Sequence, residues 1–115
     1  MSPVQNISPQ HYAAARAENA STNQASPTPA LIDVREPWEF AIAHIDGAQL
    51  LPLDQIEAWA QTLDKTADYV VMCHHGGRSA MACQVLQGLG FTNVRNLDGG
   101  IDAWAYAVDP TTPRY

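Results

Sequence analysis

Cysteine and lysine are scarce in this 115-residue chain, with two of the first and only Lys65 of the second. Two thiols make no disulfide framework, so the fold has to rest on an apolar core, and a reducing cytoplasm is the expected home. Six basic residues against twelve acidic ones leave a formal net charge of −6. No basic patch is dense enough to follow a phosphate backbone, so nucleic acid is not the expected partner. No apolar run is long enough to span a bilayer, and membrane association is not expected either. Residues Met1 to Asn6 carry neither the basic nor the apolar stretch of a secretory signal. Internal repeats are also missing. What remains is a hydrophobic fraction of 46%, normal for a globular protein, in a length that fits one domain spanning 1–115.

Along the chain, short apolar runs alternate with helical patterns. Ser8-Pro9 reads as an N-cap with proline at the first helical position, opening an Ala-rich helix from Gln10 to about Glu18. Ala20 to Pro29 is rich in Ser, Thr, Asn and Pro, which predicts a surface loop. Ala30 to Val34 is a strand candidate, Glu36-Pro37 starts a short helix, and Ala48 to Leu51 is a further strand candidate. Ile56, Trp59, Ala60 and Leu63 fall at helical spacing within 54–63. Tyr69-Val70-Val71-Met72 is unbroken apolar sequence, as in a strand covered on both faces. Ala82, Val85, Leu86 and Leu89 then mark a helix that Gly90 ends. Val94 to Leu97 and Ile101 to Val108 supply a last strand and helix. The alternation predicts an α/β fold, a small parallel sheet of about four to five strands with helices on both faces. Ligands of such folds bind beyond the carboxyl ends of the strands. Cys73 lies at such an end.

The seven residues Cys73-His74-His75-Gly76-Gly77-Arg78-Ser79 carry the chemistry. A thiol is nucleophilic only as its thiolate. A helix start offers unpaired N–H groups and a partial positive charge. A tight loop running into it can curl successive N–H groups around one point, and Gly76 and Gly77 give the backbone the freedom to do so. Arg78 adds a fixed charge, and His74 and His75 add more when protonated. Together these features favour a thiolate at Cys73 and an anion beside it. Cys83 falls on the helix that follows, and at about 1.5 Å of rise per residue it is carried beyond disulfide reach of Cys73. It reads as an inert core thiol.

The same loop resembles the active-site loop of the rhodanese family of sulfurtransferases, which has the pattern C-x-x-G-x-[RST]. Leu31 to Phe40 is similar to that family's first motif. His44-Ile45 with Gly47-Ala48 resembles its GHIPGA turn, with Ala43 and Asp46 in place of the usual glycine and proline. Leu97-Asp98-Gly99-Gly100 with Trp104 resembles its C-terminal motif. The resemblance runs from about residue 7 to 107. It implies that Cys73 takes a sulfane sulfur from a donor such as thiosulfate or a persulfide. A thiophilic acceptor, cyanide in vitro and a thiol or protein in cells, then removes it. It implies no metal or organic cofactor. It also implies that His74, His75, Gly76, Gly77, Arg78 and Ser79 hold the substrate, and that an Asp33–Arg35 ion pair braces the site.

Other chemistries remain to be weighed. Cysteine phosphatases and arsenate reductases resemble H-C-x5-R, whereas four residues separate Cys73 from Arg78 and Met72 precedes the cysteine. A rhodanese-like domain can also serve as a docking module without turnover, since fold does not dictate function. Cys73, His74, His75 and Cys83 invite a metal, but structural zinc sites pair their ligands across short gaps and adjacent histidines are expected to point apart. Trp38, Trp59 and Trp104 are expected in the core or between helices. His44 is expected to be structural.

Overall fold

The computed structural model describes residues 3–22 and 29–115. Five strands form one sheet, and every neighbouring pair is parallel. In chain order the elements are β1 (Gln5–Ile7), α1 (Pro9–Thr22), β2 (Ala30–Asp33), α2 (Pro37–Ile42) and β3 (Gln49–Leu50). A 3-10 turn (Leu53–Gln55) then leads into α3 (Ile56–Ala60), β4 (Tyr69–Met72), α4 (Gly77–Gly88), β5 (Val94–Leu97) and α5 (Gly100–Ala107). Spatially the strands run β1-β5-β4-β2-β3, so β4 is the central one. All of its residues are buried, as its unbroken apolar run predicts.

Side chains alternate across the sheet and sort the core into two layers. Tyr69, Val71 and Cys73 join a cluster with Trp59, Ala82, Leu86 and Phe91 from the α3–α4 side. Val70 and Met72 face the opposite cluster, with Tyr12 of α1 and Ile101 and Trp104 of α5. Cys73 directly follows the central strand, on the α3–α4 side and at the carboxyl edge of the sheet.

Several expectations need correction. The N-terminal strand β1 escapes the sequence pattern because it is an edge strand of three residues whose Gln5 and Asn6 are exposed, leaving only Ile7 to mark it. Helix α1 runs on to Thr22, past the loop start expected at Ala20, and most of that expected loop lies outside the described residues. The expected 54–63 helix is shorter and begins as a 3-10 turn. Other local signals hold. Ser8 Oγ accepts the His11 N–H at 3.1 Å and caps α1. Gly90 has φ 100°, and the Phe91 N–H reaches Leu86 O at 3.0 Å, closing α4 with a Schellman turn.

Candidate active site

The loop after β4 curls because Gly76 takes φ 105° as the N-cap of α4, a left-handed conformation that suits glycine. The curl brings donors onto one atom. Gly76 N–H reaches Cys73 Sγ at 3.0 Å and Ser79 N–H reaches it at 3.4 Å. Helix α4 has no acidic residue in its first turn, so nothing on the helix itself offsets the positive end of its dipole. Cys73 is only 1% exposed, yet its sulfur faces polar N–H groups rather than hydrocarbon alone. Such a nest complements a sulfur that carries negative charge.

Ser79 Oγ is 3.3 Å from the same sulfur, and also contacts Gly76 O at 3.3 Å and, at closer range, Asn96 Oδ1. One hydroxyl hydrogen can serve only one acceptor at a time. Asn96, buried on β5, fixes the surroundings by donating from Nδ2 to Gly76 O at 3.2 Å and to Asn6 Oδ1 at 3.1 Å. Asn6 stands opposite Asn96 in the β1–β5 register. The loop is held from the other side by α5. Ile101 N–H donates to Cys73 O at 2.9 Å and Asp102 N–H to His74 O at 3.1 Å. A side chain at Gly100 would collide with both carbonyl oxygens, so the Gly99-Gly100 pair allows a close approach of helix to loop.

The positive charges of the site are answered within the protein. Arg78 forks onto Glu39, Nη1 to Oε1 at 2.6 Å and Nη2 to Oε2 at 2.9 Å. The Arg78 bonds hold the Glu39 carboxyl down at about 2, against burial and with help from Tyr115. The same fork raises the Arg78 pKa. Arg35 and Asp33, expected as a brace, are both fully buried and joined through Nη2–Oδ2 at 2.7 Å and Nε–Oδ1 at 2.9 Å. This is no ordinary surface pair. Arg114 meets Asp102 at 3.0 Å. His75 Nδ1 in turn lies 3.9 Å from Asp102 Oδ2, so the N–H groups at Cys73 Sγ are the loop donors that no carboxylate offsets.

His74 and His75 do not point apart as expected. Their rings stack at 4.0 Å, and His74 stacks in turn on Tyr115 at 4.0 Å, nearly parallel at 10°. Burial lowers the His74 pKa, and the neighbouring His75 adds to the shift. Among the described residues no group of three or more His, Cys, Asp and Glu is set to hold a metal ion. No helix of the described residues is long and apolar enough to cross a membrane. Cys83 sits in the core, where burial pushes its thiol up to about 12. Trp59 and Trp104 are buried as expected, but Trp38 is 58% exposed. It packs edge-on against Tyr115 and donates to Glu36 Oε2 at 2.6 Å. His44 stacks on Phe40 at 4.2 Å.

Three residues of this arrangement were not singled out by the sequence: Glu39, Asn96 and Tyr115. Glu39 carried one signal, its place three residues after Glu36 at a helix start. That reads as a capping box, and Glu36 N–H does donate to Glu39 Oε1 at 3.1 Å.

Comparison with known proteins gives a consistent picture. The Rhodanese-like domain model matches residues 14–107. Thiosulfate sulfurtransferase GlpE of Pseudomonas entomophila is 36% identical over 104 residues, 90% of this chain and 87% of that protein. Rhodanese-like/PpiC domain-containing protein 12, chloroplastic, of Arabidopsis thaliana is 44% identical over 89 residues, 74% of this chain but only 30% of that longer protein. A crystal structure of a rhodanese-related protein from Thermoplasma volcanium superimposes with a TM-score of 0.73 at 28% identity, covering 90% of this chain and 93% of that one. With four ordered sequence motifs, a matching five-stranded parallel sheet and a family model over most of its length, the chain belongs to the rhodanese-like domain family.

Proposed function

We propose that the protein is a sulfurtransferase in which Cys73 carries a sulfane sulfur from a small anionic donor to a thiophilic acceptor. The Cys73 thiolate attacks the outer sulfur of thiosulfate. A new S–S bond forms at Sγ, the donor's S–S bond breaks, and sulfite leaves with the bonding pair. The enzyme is left as a persulfide anion. A nucleophile such as cyanide, a small thiol or a protein thiolate then attacks the terminal sulfur and restores the Cys73 thiolate. No electron is gained or lost overall, and no cofactor is needed. This is covalent catalysis in two half-reactions.

The observation that carries this reading is the convergence of the Gly76 and Ser79 N–H groups on Cys73 Sγ at the start of α4. These donors are fixed before reaction, as an oxyanion hole is, and a persulfide places its negative charge within their reach. The near-complete burial of Cys73 suits a narrow terminal sulfur better than a broad phosphoryl group. Arg78, one residue short of the phosphatase arginine position, is committed to Glu39. His74, His75, Gly76, Gly77, Arg78 and Ser79 then act as the loop that shapes and holds the sulfur site, with Asp33 and Arg35 supporting it from below. A free thiol working this way suits a reducing cytoplasm.

A thiosulfate:cyanide assay tests the reading. Thiocyanate should form with wild type and not with Cys73→Ser. A folded wild type that forms none with any sulfane donor would mark the protein as a docking module instead.

A further inference from the structure

We infer that Tyr115 is a positioning residue of the cysteine loop, tying His74 to the buried Asp33–Arg35 pair and to the Glu39–Arg78 fork through a single side chain. The inference rests on the proposed sulfur transfer for its kinetic consequences, but not for its structural ones.

The segment after α5 turns back at Asp109, whose carbonyl accepts the Thr112 N–H at 3.0 Å. Arg114 then anchors it to α5, with Nε and Nη2 on Asp102 Oδ1 at 3.1 and 3.0 Å. Tyr115 arrives with its ring flat on His74 and the edge of Trp38 against it. Its hydroxyl accepts from Arg35 Nη1 at 2.8 Å and donates to Glu39 Oε2 at 2.6 Å. Both roles of the hydroxyl are filled, which fixes the ring in place. Arg35 comes from the end of β2, Glu39 from α2, Arg78 from α4 and His74 from the loop. The Tyr115 side chain contacts Arg35, Glu39 and His74 together.

The contact has a consequence for charge. His74 is faced by His75 in the loop, Arg78 on α4, Glu39 on α2 and Asp102 on α5. The two carboxylates favour its protonation, whereas burial, His75 and Arg78 oppose it, and burial is the largest of these. The stacked Tyr115 ring supplies part of that burial. With the ring in place, the imidazole next to Cys73 stays neutral and flat at neutral pH, and the cradle keeps its geometry. Without it, His74 gains water, swings, and charges at higher pH than before.

The test is an NMR titration of His74 in wild type, Tyr115→Phe, Tyr115→Ala and the exposed-aromatic control Tyr106→Ala, with the His74 signal identified by its loss in His74→Asn. His74 should titrate at higher pH in Tyr115→Ala, while Tyr115→Phe, which keeps the ring, and Tyr106→Ala stay close to wild type. In Tyr115→Phe the Glu39 carboxyl should instead titrate above its wild-type value, having lost the phenol's hydrogen bond. That second readout decides the matter should Tyr115→Ala not fold. In the thiosulfate:cyanide assay at pH 8, Tyr115→Ala should lose about tenfold in kcat with little change in KM, as for a displaced catalytic loop. Its kcat/KM should also fall more steeply from pH 6 to pH 8, because a His74 that ionises there attracts the donor at the acid end. Identical His74 midpoints in wild type and Tyr115→Ala, or an unmoved Glu39 in Tyr115→Phe, would overturn the inference. A wild type that takes up no sulfur would sink the sulfur-transfer proposal and leave both titrations to judge Tyr115.

Discussion

Cys73 and Cys83 share one apolar cluster and are 1% and 0% exposed, yet their sulfurs meet different surroundings. At the carboxyl end of β4 the backbone curls, and two N–H groups converge on Cys73 Sγ. In the middle of α4 the backbone N–H groups are consumed by the helix, and burial alone pushes the Cys83 thiol up to about 12. Near neutral pH Cys83 is therefore held as the thiol, which disfavours it as a nucleophile. Exposure does not distinguish the two cysteines here. The donors facing the sulfur do.

Breaking the comparison at its reactive side should give the largest effect. Cys73→Ser should lower sulfur transfer by about a thousandfold or more, since a serine hydroxyl cannot replace a thiolate in the covalent step. The thiocyanate assay reads this directly, and Cys83→Ser should remain within about twofold of wild type. Equal losses in the two variants would erase the distinction.

Arg78→Ala should come next. It leaves the nearly buried Glu39 carboxylate without its fork, whereas the Arg78 side chain is itself 39% exposed. Discounting for that exposure, the stability loss should be about 2 kcal/mol by urea unfolding. Turnover should fall about tenfold, with kcat sharing the loss, because the first turn of α4 is no longer held to α2. A change confined to KM would put the guanidinium on the donor anion instead.

At the silent side, Cys83→Ser should cost about 1–3 kcal/mol of stability by inserting a hydroxyl into an apolar cluster. Activity per folded molecule should not change. If the variant were as stable as wild type, the surroundings of Cys83 would be more polar than described.

The smallest effect concerns acid. The Glu39 carboxyl lies at about 2 in the folded protein against a reference of 4.5. A carboxyl depressed by folding stabilises fully above its unfolded pKa, and that stabilisation fades as pH drops toward the folded one. The stability gap between wild type and Glu39→Gln should therefore narrow from pH 5 down to pH 2. Parallel unfolding profiles over this range would show that the fork does not depress Glu39.

The local half of this site is legible in the sequence, and the distant half is not. An apolar run, a cysteine, two glycines and a helical pattern are neighbours in the chain, and so is the Asp33–Arg35 pair. Local propensity and the parallel-sheet rule place the loop at a strand end, and the family resemblance implies the ion pair. Arg78, by contrast, meets a partner 39 residues away, and Tyr115 reaches back 76 residues to Glu39 and 80 to Arg35. Nothing in the spacing of those residues announces the contact. The sequence shows a free arginine where the fold makes a neutralised one. It shows two histidines that ought to diverge where a tyrosine from a distant segment stacks them. Asn6 and Asn96 lie 90 positions apart and meet only because β1 pairs with β5. An edge strand with one buried residue leaves no periodicity from which to foresee that.

The central claim, that the donors around Cys73 and not burial make it the sulfur carrier, is tested most directly by intact mass. Wild type, Cys73→Ser and Cys83→Ser would each be treated with thiosulfate, desalted and weighed before and after cyanide. Wild type and Cys83→Ser should each gain the mass of one sulfur atom and lose it to cyanide, while Cys73→Ser gains nothing. A sulfur carried by Cys73→Ser and absent from Cys83→Ser would contradict the account.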